Sequence, residues 1–379
     1  MDVRDSLSDR CRGLQERRLR QAFGTRGTNG FRPESHAGPG EERADRTRES
    51  PEGLDGARIR AARDYLLLLA ESSRAREDPF LAGELNAAAE GAEDVVRQGP
   101  VVRTPDEAFR AELLIHADGT RPAALVKNGS LLRPEALGDF GELYVISRQT
   151  VDASIRSAGR IDASGRQLGG GMLLALEDRD EHVVLTAGHV LDGWLEPGDP
   201  PTLRPGLVID FEAEFGGASS NRHRLDRLLS YCFDEPSGTD YALLALGASL
   251  DGRSPPAAAL TDPGRWRLAV GETIGILGFP ARPVLPSSLF LPGQVWHSLF
   301  GGAWSVKRLS PGRVSAAPAD QAGQDLVWHD ATTTIGSSGS GILTFGSGYL
   351  AGVHAGGRSE ANRGMSLAAI AARSGQGFG

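Results

Sequence analysis

Three hydroxyls set among glycines, Gly336-Ser337-Ser338-Gly339-Ser340-Gly341, are the part of this sequence best suited to nucleophilic chemistry. A serine hydroxyl is a poor nucleophile at neutral pH. It attacks only when an adjacent imidazole takes its proton and a carboxylate holds that imidazole in the productive tautomer. Both groups stand upstream, His189 in Leu185-Thr186-Ala187-Gly188-His189-Val190 and Asp240 in Thr239-Asp240-Tyr241-Ala242-Leu243-Leu244. Taken singly, each string has an ordinary use. A histidine after a hydrophobic run is a core or surface histidine, an aspartate before one is a turn or strand-entry residue, and a Gly/Ser run is a loop. The conjunction is what points to chemistry: the order His, Asp, Ser, with about fifty and then about a hundred residues between them.

The three strings resemble the chymotrypsin (trypsin-like) family, which uses this order where subtilisins and α/β-hydrolases use others. The resemblance implies that His189 is the general base, Asp240 its orienting carboxylate and Ser338 the nucleophile. Of the three serines, only Ser338 has a glycine two before it and one directly after. Gly336 and Ser338 match the positions whose backbone N–H groups form the oxyanion hole, where each donor is typically worth about 2.7–4 kcal/mol. A glycine at 336 suits a tight turn that aims two amides at one point. The implied fold is mainly β, a double six-stranded antiparallel barrel, one barrel before and one after the middle of the domain.

Within that family the strings Gly271–Pro280, Thr332–Ser340 and Leu350–Gly357 are similar to bacterial glutamyl endopeptidases and other disulfide-free bacterial trypsin-like domains, over roughly residues 149–379. The position six before the nucleophile, an aspartate where a basic P1 side chain is bound, is Thr332 here, which disfavours Arg or Lys at P1. By the same likeness Thr333, His354 and Gly356 are the substrate-binding residues, and a hydroxyl with a donating histidine suits an acidic P1 side chain. Asp330 stands near enough to alter the field. Glutamyl endopeptidases also use a freed N-terminal amine, whereas here a long extension precedes the domain.

The elements that must carry these residues are legible in outline. Short strands punctuated by Gly and Pro run through Gly169–Leu174, Leu207–Phe215, Tyr241–Leu246, Gly271–Phe279 and Ile342–His354, the texture of an antiparallel barrel. Ser154–Ile161 is expected to enter the first barrel, and Ser366–Arg373 to form a short C-terminal helix. The glycines at 169–171 are not followed by a Gly-Lys-Ser/Thr or a helix-opening fingerprint, so no nucleotide site is expected.

A chain of 379 residues exceeds one such domain, and the front divides in two. Residues 1–57 alternate Arg with Asp and Glu and are dense in Gly, Pro and Ser from Gly24, a composition expected to be disordered. Leu7, Cys11, Leu14, Leu19 and Phe23 could alternatively form one amphipathic helix on a partner. Residues 58–148 read as an accessory α+β region. Ile59, Ala62, Leu66 and Leu69 share a helical face, and Leu81, Leu85, Ala88, Ala92 and Val95 another, after Asp78-Pro79 as N-cap and first helical residue. Glu112–His116 and Ala123–Lys127 flank Asp118-Gly119, and Asn128-Gly129 leads into Ser130–Leu132, two hairpin signals. The trypsin-like domain, 149–379, is expected to begin near Gln149.

Composition narrows the partners. A formal net charge of −8 gives no electrostatic case for nucleic acid, and basic residues are almost all Arg, with Lys only at 127 and 307. Two distant cysteines, Cys11 and Cys232, make no disulfide framework, which suits a reducing compartment or a bacterial source. The first residues have no apolar signal core and no stretch of some eighteen apolar residues occurs, so a cytoplasmic chain with no membrane is expected. His36, His116, His182, His223, His297 and His329 lack metal-ligand spacing, so neither metal nor cofactor is expected.

Three functions from different classes follow: an endopeptidase controlled by a partner acting through residues 1–148, a protease fold that binds a peptide without turnover, and an effector protease recruited through its front region within a bacterial stress or antiphage defence system.

Overall fold

The computed structural model describes single positions between 63 and 90 and residues 123–138, 140–176, 179–234, 237–282, 300, 302–315, 326–357 and 362–378. The expectations for 1–57 and for the strand at 112–116 lie outside the described residues, and the positions described at 63–71 and 83–90 are helical.

From residue 123 the chain runs β1 (Ala124–Lys127), β2 (Ser130–Leu131), α1 (Phe140–Ser157), β3 (Ala158–Ala163), β4 (Arg166–Leu176), β5 (Arg179–Thr186), β6 (Leu195–Glu196), β7 (Thr202–Leu203), β8 (Leu207–Asp210), β9 (Arg222–Asp234) and β10 (Thr239–Ser249). It continues through β11 (Thr273–Gly278), β12 (Arg308–Ser315), β13 (Leu326–His329), β14 (Gly341–Thr344), β15 (Leu350–Gly357), β16 (Asn362–Ser366) and α2 (Leu367–Ser374). Strands β10-β5-β4-β3-β8-β9 close an antiparallel barrel. Strands β11-β14-β15-β16-β13-β12 close a second through the β11–β12 pairing, and the hairpin β1–β2 is added to β12 at Ala124↔Leu309. The expected mainly β, double six-stranded architecture is the one found.

Period-two alternation builds three cores at once. Leu173, Val184, Ala242 and Leu244 fill the first barrel, while their neighbours Met172, Leu174, Val183, Leu185, Tyr241 and Leu243 face outward into a larger core between the barrels. Ile274, Ile276, Val314, Val327 and Ile342 fill the second barrel. Strands buried on both faces read as unbroken apolar runs, which is why Val183-Val184-Leu185 shows no polar alternation. Burial of each such side chain is worth about 1.5–3 kcal/mol.

The helix α1 was not anticipated. The segment expected to enter the first barrel at Ser154 is helical through Ser157, the strand starts only at Ala158, and position 149 falls inside the helix. Its signal is present at Phe140, Tyr144, Val151 and Ile155, a helical spacing whose residues are all buried. Polar groups complete the seat. Asp152 accepts from Tyr144 Oη at 2.8 Å and Ser130 Oγ at 2.7 Å, and Ser154 Oγ donates to Gly348 O at 2.6 Å. Burial first, then the Asp152 carboxylate, push the Tyr144 phenol up to about 12, so it stays a donor. At the C-terminal end the expected short helix is present as α2, and Ser366 Oγ caps it by accepting from Ala369 N.

The joint between the hairpin and the two barrels turns on one ion pair. Lys307, fully buried on the approach to β12, donates from Nζ to Phe211 O at 2.8 Å and to Glu214 Oε1 at 3.2 Å, and Gly129 N donates to Glu214 Oε2 at 2.9 Å. Burial pulls the Lys307 ammonium below its ordinary value and Glu214 opposes the shift. Removing one partner leaves a buried charge unmatched. Glu214→Ala is expected to lower the free energy of unfolding by about 3–5 kcal/mol, while Lys307→Met with Glu214→Leu recovers most of it. Urea titration of the three proteins is the check, and a loss below 1 kcal/mol in Glu214→Ala would refute the role given to the pair.

Candidate active site

His189 stands in a single helical turn, Gly188–Leu191, two residues after the end of β5, and Asp240 is the second residue of β10. Because β5 and β10 are hydrogen-bonded neighbours, with Ala242 opposite Thr186, the turn folds back over the start of β10. Both Asp240 oxygens are then engaged by one residue: Oδ1 accepts from His189 N at 3.0 Å and Oδ2 lies 2.6 Å from His189 Nδ1. A carboxylate only accepts, so Nδ1 carries a proton, and in the neutral ring Nε2 then presents the lone pair. Burial alone would push the Asp240 carboxyl up, but the charge and hydrogen bonds of His189 bring it below the usual carboxylate range. The result is a nearly buried, ionised acceptor behind a histidine that remains 12% exposed. Phe233, opposite Asp240 on β9, sets its ring 6.0 Å from the His189 ring.

The Ser338 loop comes from the other barrel and meets β4 at its glycines. Gly170 N donates to Ser338 O at 2.8 Å, and Thr186 Oγ1 donates to Gly170 O at 2.7 Å. A Cβ on Gly169 would lie 2.6 Å from Ser338 O and 2.8 Å from a methyl of Val190, so the serine loop and the histidine turn converge on the same glycine. Gly339, at φ +82°, has no room either: a Cβ there would lie 2.1 Å from Gly170 O and 2.3 Å from Thr186 Oγ1.

Hydrogen bonds within the loop sort its three serines. Ser337 N donates to Thr334 O at 3.0 Å and Ser337 Oγ accepts from Thr334 N at 3.3 Å. Ser340 N and Oγ both donate to Ser337 O, at 3.0 and 2.5 Å. Ser337 and Ser340 therefore brace the turn on either side of Ser338. Gly339 N donates to His354 O at 2.8 Å. Among the described residues, Gly336 N and Ser338 N have no protein acceptor, a pair of donors on either side of Ser337.

The expected substrate-binding residues are spread around this loop. His354 N donates to Ser340 O at 2.8 Å, so β15 runs directly alongside the nucleophile turn. The His354 side chain is buried, with Nδ1 3.1 Å from Nε2 of the fully buried His329. Thr333 is half-buried and its hydroxyl donates to Asn362 Oδ1 at 2.8 Å. At Gly356, beyond a bulge in β15, an added Cβ would meet nothing within 4 Å. Thr332 is buried, and Asp330 Oδ1 accepts from Arg313 N at 2.7 Å. Sequence reasoning passed over His329, Asn362 and Gln167. His329 was weighed only for metal spacing, and nothing short-range in the sequence links any of the three to the site. Among the described residues no three His, Cys, Asp or Glu side chains gather as metal ligands, and no helix is long and apolar enough to cross a membrane.

Residues 169–353 match the family described as Trypsin-like peptidase domain. The chain is 25% identical over 320 residues to a probable serine protease of Lysobacter enzymogenes, covering 78% of this chain and 76% of that protein. Among solved structures it is similar to the inactive form of the Rv3671c protease from M. tuberculosis H37Rv, at 18% identity, 61% of this chain, 90% of that chain and TM-score 0.37. It is also similar to a serine endoprotease from Yersinia pestis, at 15% identity, 60% and 64% coverage and TM-score 0.37.

The glycine contacts are testable as packing. Gly339→Ala adds left-handed strain of about 1–2 kcal/mol to overpacking of about 1–3 kcal/mol. Gly165→Ala, at φ +77° with nothing within 4 Å, has the strain alone. Thermal unfolding should place Gly339→Ala well below Gly165→Ala, and equal shifts would contradict the tight approach described.

Proposed function

We propose that the chain is a serine endopeptidase in which His189, Asp240 and Ser338 form the catalytic triad. The observation that carries this is the double engagement of Asp240 by His189, which leaves Nε2 as the base. In the proposed cycle His189 Nε2 takes the proton of Ser338 Oγ as that oxygen attacks the scissile carbonyl carbon. The oxyanion is met by the N–H groups of Gly336 and Ser338. His189 then gives the proton to the leaving amine, and water, deprotonated by the same nitrogen, releases the acyl group from Ser338. Asp240 stays ionised throughout and stabilises the imidazolium.

For specificity, an acidic P1 side chain fits best. A carboxylate entering a desolvated pocket is strongly penalised unless donors meet it. The His329–His354 contact holds one shared proton, and when His354 Nδ1 accepts it, its Nε2 is left as a donor. The Thr333 hydroxyl would have to exchange Asn362 for the substrate. Residues 1–148 are proposed to restrain or target the enzyme, since an unregulated endopeptidase endangers its own cell.

Two experiments test this. Labelling with a fluorophosphonate should be abolished in Ser338→Ala and nearly so in His189→Ala, with hydrolysis lost alongside. Asp240→Asn should keep the fold and lose roughly 10⁴-fold in turnover, as in the family's template. Undiminished labelling of Ser338→Ala would sink the assignment, and absence of labelling in the natural protein would favour a peptide-binding module.

A peptide library should show cleavage after Glu or Asp. His354→Ala should then reduce kcat/KM for those peptides roughly tenfold to a hundredfold more than for peptides with small apolar P1 groups, the range for a hydrogen bond to a charge. Equal losses on every substrate, or cleavage after Arg or Lys, would remove the acidic pocket and leave the triad standing.

A further inference from the structure

We propose that Gln167 is a positioning residue for catalysis, reaching from the first barrel to hold the turn before Ser338 with its two unpaired amides facing outward. The inference rests on the triad reading above and adds a residue to it.

Gln167 lies on β4, near its start, and its side chain crosses to the second barrel. Nε2 donates to Phe279 O at 2.5 Å and lies 3.5 Å from Gly336 O. Two residues after Phe279, Ala281 N donates to Ile335 O at 2.7 Å. That bond fixes the plane of the Ile335–Gly336 peptide. In a trans peptide C=O and N–H point in opposite directions, so while Ile335 O faces Ala281 the Gly336 N–H faces away from it. Rotation of this one peptide would turn the donor inward and remove half of the oxyanion hole. Gln167 opposes the rotation twice, by pinning the segment that holds Ile335 and by contact with the far side of Gly336. The fit leaves no slack: a Cβ on Gly336, at φ +85°, would lie 2.7 Å from Gln167 Nε2 and 2.9 Å from both Phe279 O and the Ala281 methyl.

The other end of the same amide shows that space-filling is not its purpose. Gln167 Oε1 is buried and has no hydrogen-bond partner among the described residues. An unsatisfied buried acceptor is destabilising, and a leucine of similar volume would avoid it. What glutamine supplies and leucine lacks is the Nε2 donor. Pinning of the 279–281 segment is shared with Ser305, whose N donates to Pro280 O at 2.8 Å while its own carbonyl accepts from Arg160 Nη1 at 2.7 Å. Only Gln167 among these also reaches Gly336.

The test compares the natural protein with Gln167→Leu and the isosteric Gln167→Glu, whose carboxylate cannot donate. Each is assayed on one cleaved peptide and titrated with two inhibitors of that sequence. One is a peptidyl aldehyde, whose hemiacetal oxygen enters the oxyanion hole; the other is the matching peptidyl alcohol, which forms no adduct. Both variants should lose roughly tenfold to a hundredfold in kcat, less than the 10²–10³ for outright loss of a donor. KM and alcohol affinity should stay within about twofold, and aldehyde affinity should fall in step with kcat. Thermal unfolding reports folding, and Gln167→Glu carries the test where Gln167→Leu does not fold. Full kcat in either folded variant, or alcohol and aldehyde affinities falling alike, would overturn the proposal. A natural protein that neither cleaves peptides nor takes the fluorophosphonate would instead mean that the triad reading has failed.

Discussion

Two barrels must touch backbone to backbone for this site to exist, and they do so where Gly170 N meets Ser338 O at 2.8 Å. A main-chain contact of that kind excludes side chains from both partners over several residues. The sequence meets the demand with Gly169-Gly170-Gly171 on one side and Gly339 on the other. Each contact that follows is indexed to this junction. Thr186 reaches Gly170 from the neighbouring strand, and three residues after Thr186 comes His189. His354 reaches Gly339 from the far side. A shift at the junction would move Ser338 and His189 relative to one another, since one arrives with each barrel.

The electrostatics are arranged around the same contact. Asp240 is 3% exposed, a position where burial by itself favours the neutral acid. Its ionisation is maintained by two donors from His189, so orientation of the ring and charge of the carboxylate are one interaction seen from two sides. On the serine side no charge is placed in the loop. Order there comes from neutral bonds: Thr334 with Ser337, Ser337 with Ser340, and Gln167 and Ala281 from outside. The division leaves the Gly336 and Ser338 amides in a stretch, residues 331–341, that carries no charged side chain of its own.

How much of this could be read beforehand depended on range. The strings around His189, Asp240 and Ser338 could be picked out because the local shape of each is determined by its own glycines and apolar runs, and the structure brings His189 and Asp240 together. The barrels were legible for the same reason, since Leu173-Leu174 and Tyr241–Leu244 are buried on both faces. The helix Phe140–Ser157 was overlooked although its apolar spacing is regular. Its polar residues Ser147, Asp152 and Ser154 make the segment look solvated, and they turn inward only because Phe345, Tyr144 and Gly348 supply partners. Gln167, His329 and Asn362 were out of reach in principle. Gln167 meets Phe279 across 112 residues, and no pattern in one sequence encodes such a meeting.

The pocket residues show why matching positions to a family is weaker than building a site from contacts. By position, Thr333 and His354 pair as two donors for one carboxylate. In the structure each already has a partner, Asn362 for one and His329 for the other. For His354 the partner helps in the tautomer where Nδ1 accepts, because the ring's one N–H proton is then on Nε2. For Thr333 the partner competes, since a hydroxyl has one proton and gives it to Asn362. The two are therefore unequal, and any acidic selectivity must come chiefly from the histidine. On β15 the His354 backbone is bonded to Gly339 and Ser340 on the far side of Ser338, so any substrate contact made by the His354 side chain would share one strand with the seat of Ser338.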